Sequence, residues 1–236
     1  MTPASTPFTD ALQAALRTDA WFGSCPPDFQ SALLNLGRAE QLQVGEPLFS
    51  RGASAEGLCC VTAGALRVGA LQPDGSETLL GYVEPYQWFG EISLLDGLPR
   101  THDAVADADT TVWQVPQAEL RDWLDAHPAH WQDVARLACA KLRIAFTMLE
   151  DIAHLPLEQR LAKRLWLVSH GNGTRPDAPR RQLRLPQEHL ALMLGVSRQS
   201  ANKALRALED KGVLKLRYGA IELVDVAALA RAGGLA

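Results

Sequence analysis

PQEHLALMLGVSRQSANKALRAL, residues 186–208, decides how this chain is read. Its spacing predicts two helices, Pro186–Leu194 and Ser197–Lys211, joined by Gly195-Val196. Gly195 suits a left-handed helix cap, and Ser197 can cap the second helix. Ala201, Ala204, Leu205 and Leu208 share one face, which is expected to be core. Gln199, Asn202, Lys203 and Arg206 share the other, with Arg198 at the exposed N-terminal end. These are the proportions of a helix-turn-helix. Arg, Gln and Asn carry the paired donors and acceptors that read base edges in a major groove. Ser197, Ser200 and the helix N-terminus suit phosphate oxygens.

The flanks agree with this reading. LEQRLAKRLWLVSH (157–170) is an amphipathic helix, and residues 171–179 are a Gly/Pro-rich loop. LKLRYGAIELV (214–224) reads as two short strands, a wing that brings Lys215 and Arg217 towards a nucleic-acid backbone. Charge is divided unevenly along the chain. Residues 1–154 carry 9 Lys and Arg against 20 Asp and Glu, whereas residues 155–236 carry 14 against 7. A basic back half on a chain of net charge −4 points to a polyanionic partner.

Upstream, the only break in an otherwise glycine-free run from Gln117 to Ile152 is Pro128. Trp131, Ala135, Ala138, Leu142, Ala145, Leu149 and Ile152 advance in steps of four and three, a heptad seam. A seam meets another helix or packs on the chain's own body. A symmetric homodimer about this helix is the expectation. Leu155-Pro156 ends or re-aims the helix.

From Leu42 to Val115 short β-type runs alternate with turn signals at Gly45, Gly52, Gly64, Pro73-Asp74-Gly75 and Gly97. This texture predicts a β-sandwich or small barrel. Short helices precede it, near Thr9–Arg17 and Asp28–Leu36. The composition, 47% apolar and 21% charged, fits a globular protein. No run approaches the ~20 apolar residues of a membrane span, and no secretory signal is visible, so no membrane association and a cytoplasmic location are expected. The four cysteines, Cys25, Cys59, Cys60 and Cys139, form no C-x-x-C pair. No nucleophile-and-base pair, metal-ligand cluster or Walker-type loop is found, so no catalytic residue, metal or required cofactor is expected.

Within the β-rich part, GEISLLDGLPRTHDA (90–104) places an acid, Glu91, and a base, Arg100, at the ends of a Gly/Pro-bounded loop. They either brace a turn or grip a ligand carrying hydroxyls at one end and phosphate at the other. A guanidinium fork suits a phosphate, and exposed loop N–H groups can add donors.

The order of these parts resembles the cyclic-AMP receptor protein / FNR family of bacterial transcription regulators. The resemblance runs from about residue 20 to 225. It is carried by VGEPLFSRGASAEGLCCVTAGALRV (44–68), by 90–104, by the heptad helix and by 185–214. It implies an α+β chain. Residues 1–116 would form a cyclic-nucleotide-binding β-sandwich of jelly-roll type, residues 117–154 a long dimerisation helix, and residues 155–236 a winged helix-turn-helix. It also implies an effector site at Gly90, Glu91, Ile92, Arg100, Thr101, His102 and Phe146, with Glu91 on the ribose hydroxyl and Arg100 on the cyclic phosphate. The effector would be cyclic AMP or a related nucleotide. The DNA-binding set would be Gln187, Ser197, Arg198, Gln199, Ser200, Asn202, Lys203, Arg206, Lys215 and Arg217, meeting double-stranded DNA at a two-fold operator. RNA polymerase is a further partner that the resemblance allows.

Some positions depart from the family pattern. Ala145 and Phe146 stand where the receptor has a Thr-Ser pair on adenine, His102 replaces a small residue, and Tyr86 replaces a turn glycine. Gln199 and Lys203 replace a glutamate and an arginine, so a different half-site is expected. Two other readings stay open: the same DNA-binding regulator with a haem, redox or ligand-independent sensor, and a nucleotide-binding signalling module without DNA.

Overall fold

The computed structural model describes residues 10–71, 77–172, 174 and 179–235. The Pro73–Gly75 turn, Thr9 and much of the 171–179 loop lie outside them. Residues 10–71 and 81–142 form one compact unit, and residues 77–80 with 143–235 form a second.

The first unit opens with α1 (Asp10–Leu16), α2 (Ala20–Ser24) and α3 (Pro27–Leu36). The short α2 was not anticipated. Asp19 starts it, its carboxylate accepting the Phe22 N–H at 2.9 Å. Then follow β1 (Arg38–Leu42), β2 (Pro47–Phe49), β3 (Gly57–Ala63), β4 (Leu66–Leu71), β5 (Glu77–Val83), β6 (Trp88–Phe89), α4 (Glu91–Asp96), β7 (Asp103–Ala106) and β8 (Thr110–Pro116). The strands form two four-stranded sheets, ordered β1-β8-β3-β6 and β2-β7-β4-β5. Few neighbours in these orders are consecutive in sequence, so the chain crosses repeatedly between sheets, as in a jelly roll.

Strand β3 explains why its sequence is a continuous apolar run. Cys59 and Val61 face a core shared with Leu48, Phe89, Ala104 and Val112. Leu58 and Cys60 face the opposite way, into a helical layer with Phe22, Phe29, Trp88 and Leu124. A strand buried on both faces needs apolar residues at every position.

The sequence reading of 117–154 as one helix needs correction. The segment is α5 (Gln117–Ala126), a 3-10 turn at Pro128–His130, and α6 (Trp131–His154). Pro128 lacks an N–H and pushes His127 out of helical geometry, to φ −130° and ψ 64°. Only α6 carries the seam. Val134 and Leu137, off the seam, are buried in the first unit. Leu142, Phe146, Leu149 and Ile152 are 51–63% exposed in the single chain.

The second unit continues with α7 (Leu157–Ser169), β9 (Gln182–Leu183), α8 (Gln187–Leu194), α9 (Arg198–Asp210), β10 (Leu214–Arg217), β11 (Ala220–Leu223) and α10 (Val226–Ala232). Leu161 and Leu165 of α7, Leu190 of α8, Ala201, Leu205 and Leu208 of α9, and Leu229 of α10 are buried. The wing is not a lone hairpin, because β9 pairs with β11 and makes a three-stranded sheet. The chain is α+β: a β-sandwich with helices, a long helix and a winged helix-turn-helix.

Candidate functional site

Two sites stand out, one in each unit. The first is built around α4. Gly90 precedes this helix at φ 97°, and a Cβ there would lie 2.7 Å from Arg100 Nη1 and 2.8 Å from the Gly57 carbonyl. Only glycine fits both that backbone and that approach. Gly97 closes the helix in the left-handed region, donating its N–H to Ser93. Together the two glycines hold a short helix between Glu91 and Arg100.

Both charged residues are inside, Glu91 at 2% and Arg100 at 4% exposure. Arg100 donates to the Gly57 carbonyl from Nη2 at 2.8 Å and to the Gly90 carbonyl from Nη1 at 3.3 Å. Its guanidinium lies over the Phe49 ring, 4.3 Å from the centroid. Nε has no hydrogen-bond partner among the described residues, and Arg100 forms no ion pair among them. Carbonyls and an aromatic face leave this buried cation without a neutralising charge, which an anion can supply. Backbone bonds Gly52 N–H to Arg100 O and Arg100 N–H to Ala53 O pin the segment in place.

Glu91 is engaged differently. Its Oε2 accepts from Lys141 Nζ of α6 at 2.7 Å. Sequence reasoning missed Lys141. The signal was there, since Val134, Leu137 and Lys141 share a helix face distinct from the seam. Glu91 and Arg100 therefore do not pair with each other; Arg100 ties the Gly90 and Gly57 carbonyls together, and Glu91 is joined to Lys141.

The other expected site residues are less buried. Thr101 is exposed and its Oγ1 lies 2.9 Å from His102 Nδ1. Partial burial, and then the Arg51 charge, lower the His102 pKa, with Asp103 pulling the other way. A neutral imidazole results near pH 7, which can donate a hydrogen bond but adds no charge. Ile92 is half-exposed. Tyr86, at the departed glycine position, holds a left-handed φ of 74°. Phe146 lies in the second unit, exposed on α6.

The cysteines are not disposed for redox work in the core. Burial pushes the Cys25 and Cys59 thiols up to about 12, outweighing the Arg100 guanidinium near Cys59. Cys60 is also raised, and Cys139 is exposed. Among the described residues no group of three His, Cys, Asp or Glu side chains is placed to hold a metal ion. No helix among them is long and apolar enough to cross a membrane.

The second site is the outer face of α9. Gly195 caps α8 at φ 64°, and Ser197 caps α9 by accepting the Ser200 N–H at 3.1 Å. Arg198, Gln199, Asn202, Lys203, Arg206 and Asp210 line one surface groove. Arg198, Gln199, Lys203 and Arg206 are exposed there, and Ser197 and Ser200 are exposed at the start of the helix. Three candidates, Gln187, Asn202 and Arg206, are bonded to one another. Asn202 Nδ2 donates to Gln187 Oε1 at 2.6 Å, and Arg206 Nε donates to Asn202 Oδ1 at 3.0 Å. On the wing, Lys215 is exposed, while Arg217 pairs with Glu222 at 2.9 Å.

The fold and these two sites define a DNA-binding regulator with a sensor domain of cyclic-nucleotide-binding type. Comparison with known proteins agrees. Residues 39–127 match the cyclic nucleotide-binding domain, and residues 159–232 match the Crp-like helix-turn-helix domain. The cyclic AMP receptor protein of Thermus thermophilus is 31% identical over 186 residues, 78% of this chain and 83% of that one. A CRP-like cAMP-activated global transcriptional regulator of Mycobacterium tuberculosis is 29% identical over 188 residues, 79% of this chain and 84% of that one. Among solved structures, the CRP-family regulator TTHB099 of Thermus thermophilus superposes with a TM-score of 0.63 at 27% identity, covering 83% of this chain and 96% of that one. The chain belongs to the CRP/FNR family of transcription regulators.

Proposed function

We propose that the chain works as a homodimer that binds a cyclic nucleotide in its first unit and a two-fold-symmetric operator with α9 of its second. The observation that carries the effector reading is the burial of Glu91, the first residue of α4, and of Arg100, four residues beyond its end, each with unused capacity for a ligand. Arg100 uses two N–H groups on carbonyls and keeps three, enough for a cyclic phosphate with two free oxygens. Glu91, oriented by Lys141, retains carboxylate lone pairs for a ribose hydroxyl. The relatives named for cyclic AMP support the same ligand class.

Lys141 also gives the effector a mechanical output. It ties α4 to α6, and α6 runs on into the second unit. A ligand that loads Glu91 acts on the residue that holds this helix. Apolar Leu142, Leu149 and Ile152, exposed in one chain, fit a second copy of α6. Rotation of paired helices would then re-set the two α9 helices, spaced for half-sites about one DNA turn apart.

Thermal shift and calorimetry with cyclic AMP and cyclic GMP test the pocket. A ligand-induced shift is expected, and Arg100→Ala should abolish it while leaving the oligomeric mass unchanged. A shift that survives in Arg100→Ala would sink the phosphate assignment. Light scattering should give twice the 25.7 kDa chain mass. A monomeric mass at micromolar concentration would sink the dimer.

A further inference from the structure

The polar bonds that join α8 to α9 have a direction, and that direction assigns roles to three residues of the reading face. Resting on the proposal that α9 reads DNA, we infer that Asn202 is a positioning residue, holding Arg206 for a guanine edge, and does not itself read a base.

The polarity follows from Arg206. A guanidinium has donors and no acceptor, so the Asn202 atom facing Nε at 3.0 Å must be the oxygen. The Asn202 nitrogen then faces Gln187, and the Gln187 atom it meets at 2.6 Å must also be an oxygen. The arginine thereby settles the orientation of both amides. The Gln187 amide nitrogen is left over with both its N–H groups. At the first turn of α8 it is placed to donate to a phosphate oxygen.

Asn202 has thereby used its oxygen and one N–H inside the protein. A bidentate adenine contact needs oxygen and nitrogen presented together, so that contact is lost to it. Arg206 gains what Asn202 gives up. With Nε engaged, its free edge is the terminal Nη1/Nη2 pair, two parallel donors matching guanine O6 and N7. The side chain is also held against an alternative. Asp210 lies four residues on, lines the same groove, and is a natural i,i+4 partner for Arg206. Asn202 keeps Arg206 from folding onto Asp210. Fixing a flexible arginine beforehand lowers the ordering cost of binding.

The test uses the full-length protein and a random-sequence double-stranded DNA library, selected with and without cyclic AMP. Wild type, Asn202→Ala, Arg206→Ala, the double variant and Asn202→Asp are then titrated against the selected site and its single-base substitutions. Asn202→Ala should relax discrimination at the same base pair as Arg206→Ala, by about tenfold. The double variant should be no worse there than Arg206→Ala alone. Asn202→Asp, which keeps an acceptor for Nε, should retain the guanine preference despite weaker overall affinity. Relaxation at a different base pair, multiplicative losses in the double variant, or loss of the preference in Asn202→Asp would overturn the positioning role while leaving DNA binding intact. A wild-type protein that enriches no sequence in either condition would overturn the DNA-reading proposal, and the relay with it.

Discussion

The charged residues around α4 and the face of α9 place charge in opposite settings. Glu91 and Arg100 are almost wholly inside, each met by one or two specific partners. Arg198, Lys203 and Arg206 stand in solvent on one helix face. Inside, a charge interacts strongly and is costly to leave unpaired, so a single ligand group can shift a balance of several kcal/mol. Outside, each charge contributes little alone and is screened by salt, so binding must sum many contacts. The first setting suits recognition of one small anion, and the second suits a long polyanion.

The largest expected effect probes the buried side. Lys141→Met leaves the Glu91 carboxylate buried without its cation, and should destabilise the first unit by about 1–3 kcal/mol. Glu91→Gln removes the buried charge instead and leaves a half-exposed lysine in water, so it should cost about 1 kcal/mol or less. Urea denaturation of the two variants measures both. Equal losses would show that the pair behaves like a surface contact.

A smaller effect is expected outside. Lys215→Ala on the wing should weaken all DNA sequences alike, and lower the slope of log affinity against log salt by about 0.9. Titration at several salt concentrations reads it. An unchanged slope would remove Lys215 from the phosphate-contacting set. Effector binding should show a much flatter salt dependence in the same buffers.

The smallest effect belongs to His102. The folded His102 pKa lies below its ordinary 6.5, so the unfolded chain takes up the proton first as pH falls. Stability is therefore fully present above 6.5 and is lost as pH drops through the lowered folded value. His102→Gln should flatten that part of the stability curve, seen in thermal melts between pH 7 and 5. A steeper curve in the variant would reverse the assigned sign.

Much of the architecture could be read locally. The helices around Gly195 were expected at Pro186–Leu194 and Ser197–Lys211, and they fall at Gln187–Leu194 and Arg198–Asp210. Ser197 caps the second helix as expected, and Pro186 is a cap in place of a first helical residue. The buried positions Ala201, Ala204, Leu205 and Leu208 follow the helical period as read. Pro128 is the one breaker in the run from Gln117 to Ile152, and the helix stops there and restarts as α6. Burial on one face of a helix leaves a period in sequence, and a cap or break needs only a few adjacent residues. Strand β3 was legible as a β-type run, but which core each of its faces meets depends on distant elements.

The sequence by itself determined the order of parts, the acid and base at the ends of the 91–100 segment, and the side chains facing out from α9. Each of these depends on neighbours within a turn or two. Only the tertiary structure decided what those groups touch. Lys141 reaches Glu91 from fifty residues away, Arg100 is held by the carbonyl of Gly57 as well as by nearby Gly90, and Asn202 turns inward to Gln187. Periodicity tells a helix or strand which side to bury. It does not tell which distant atom will be waiting there, because that is set by how separate elements pack.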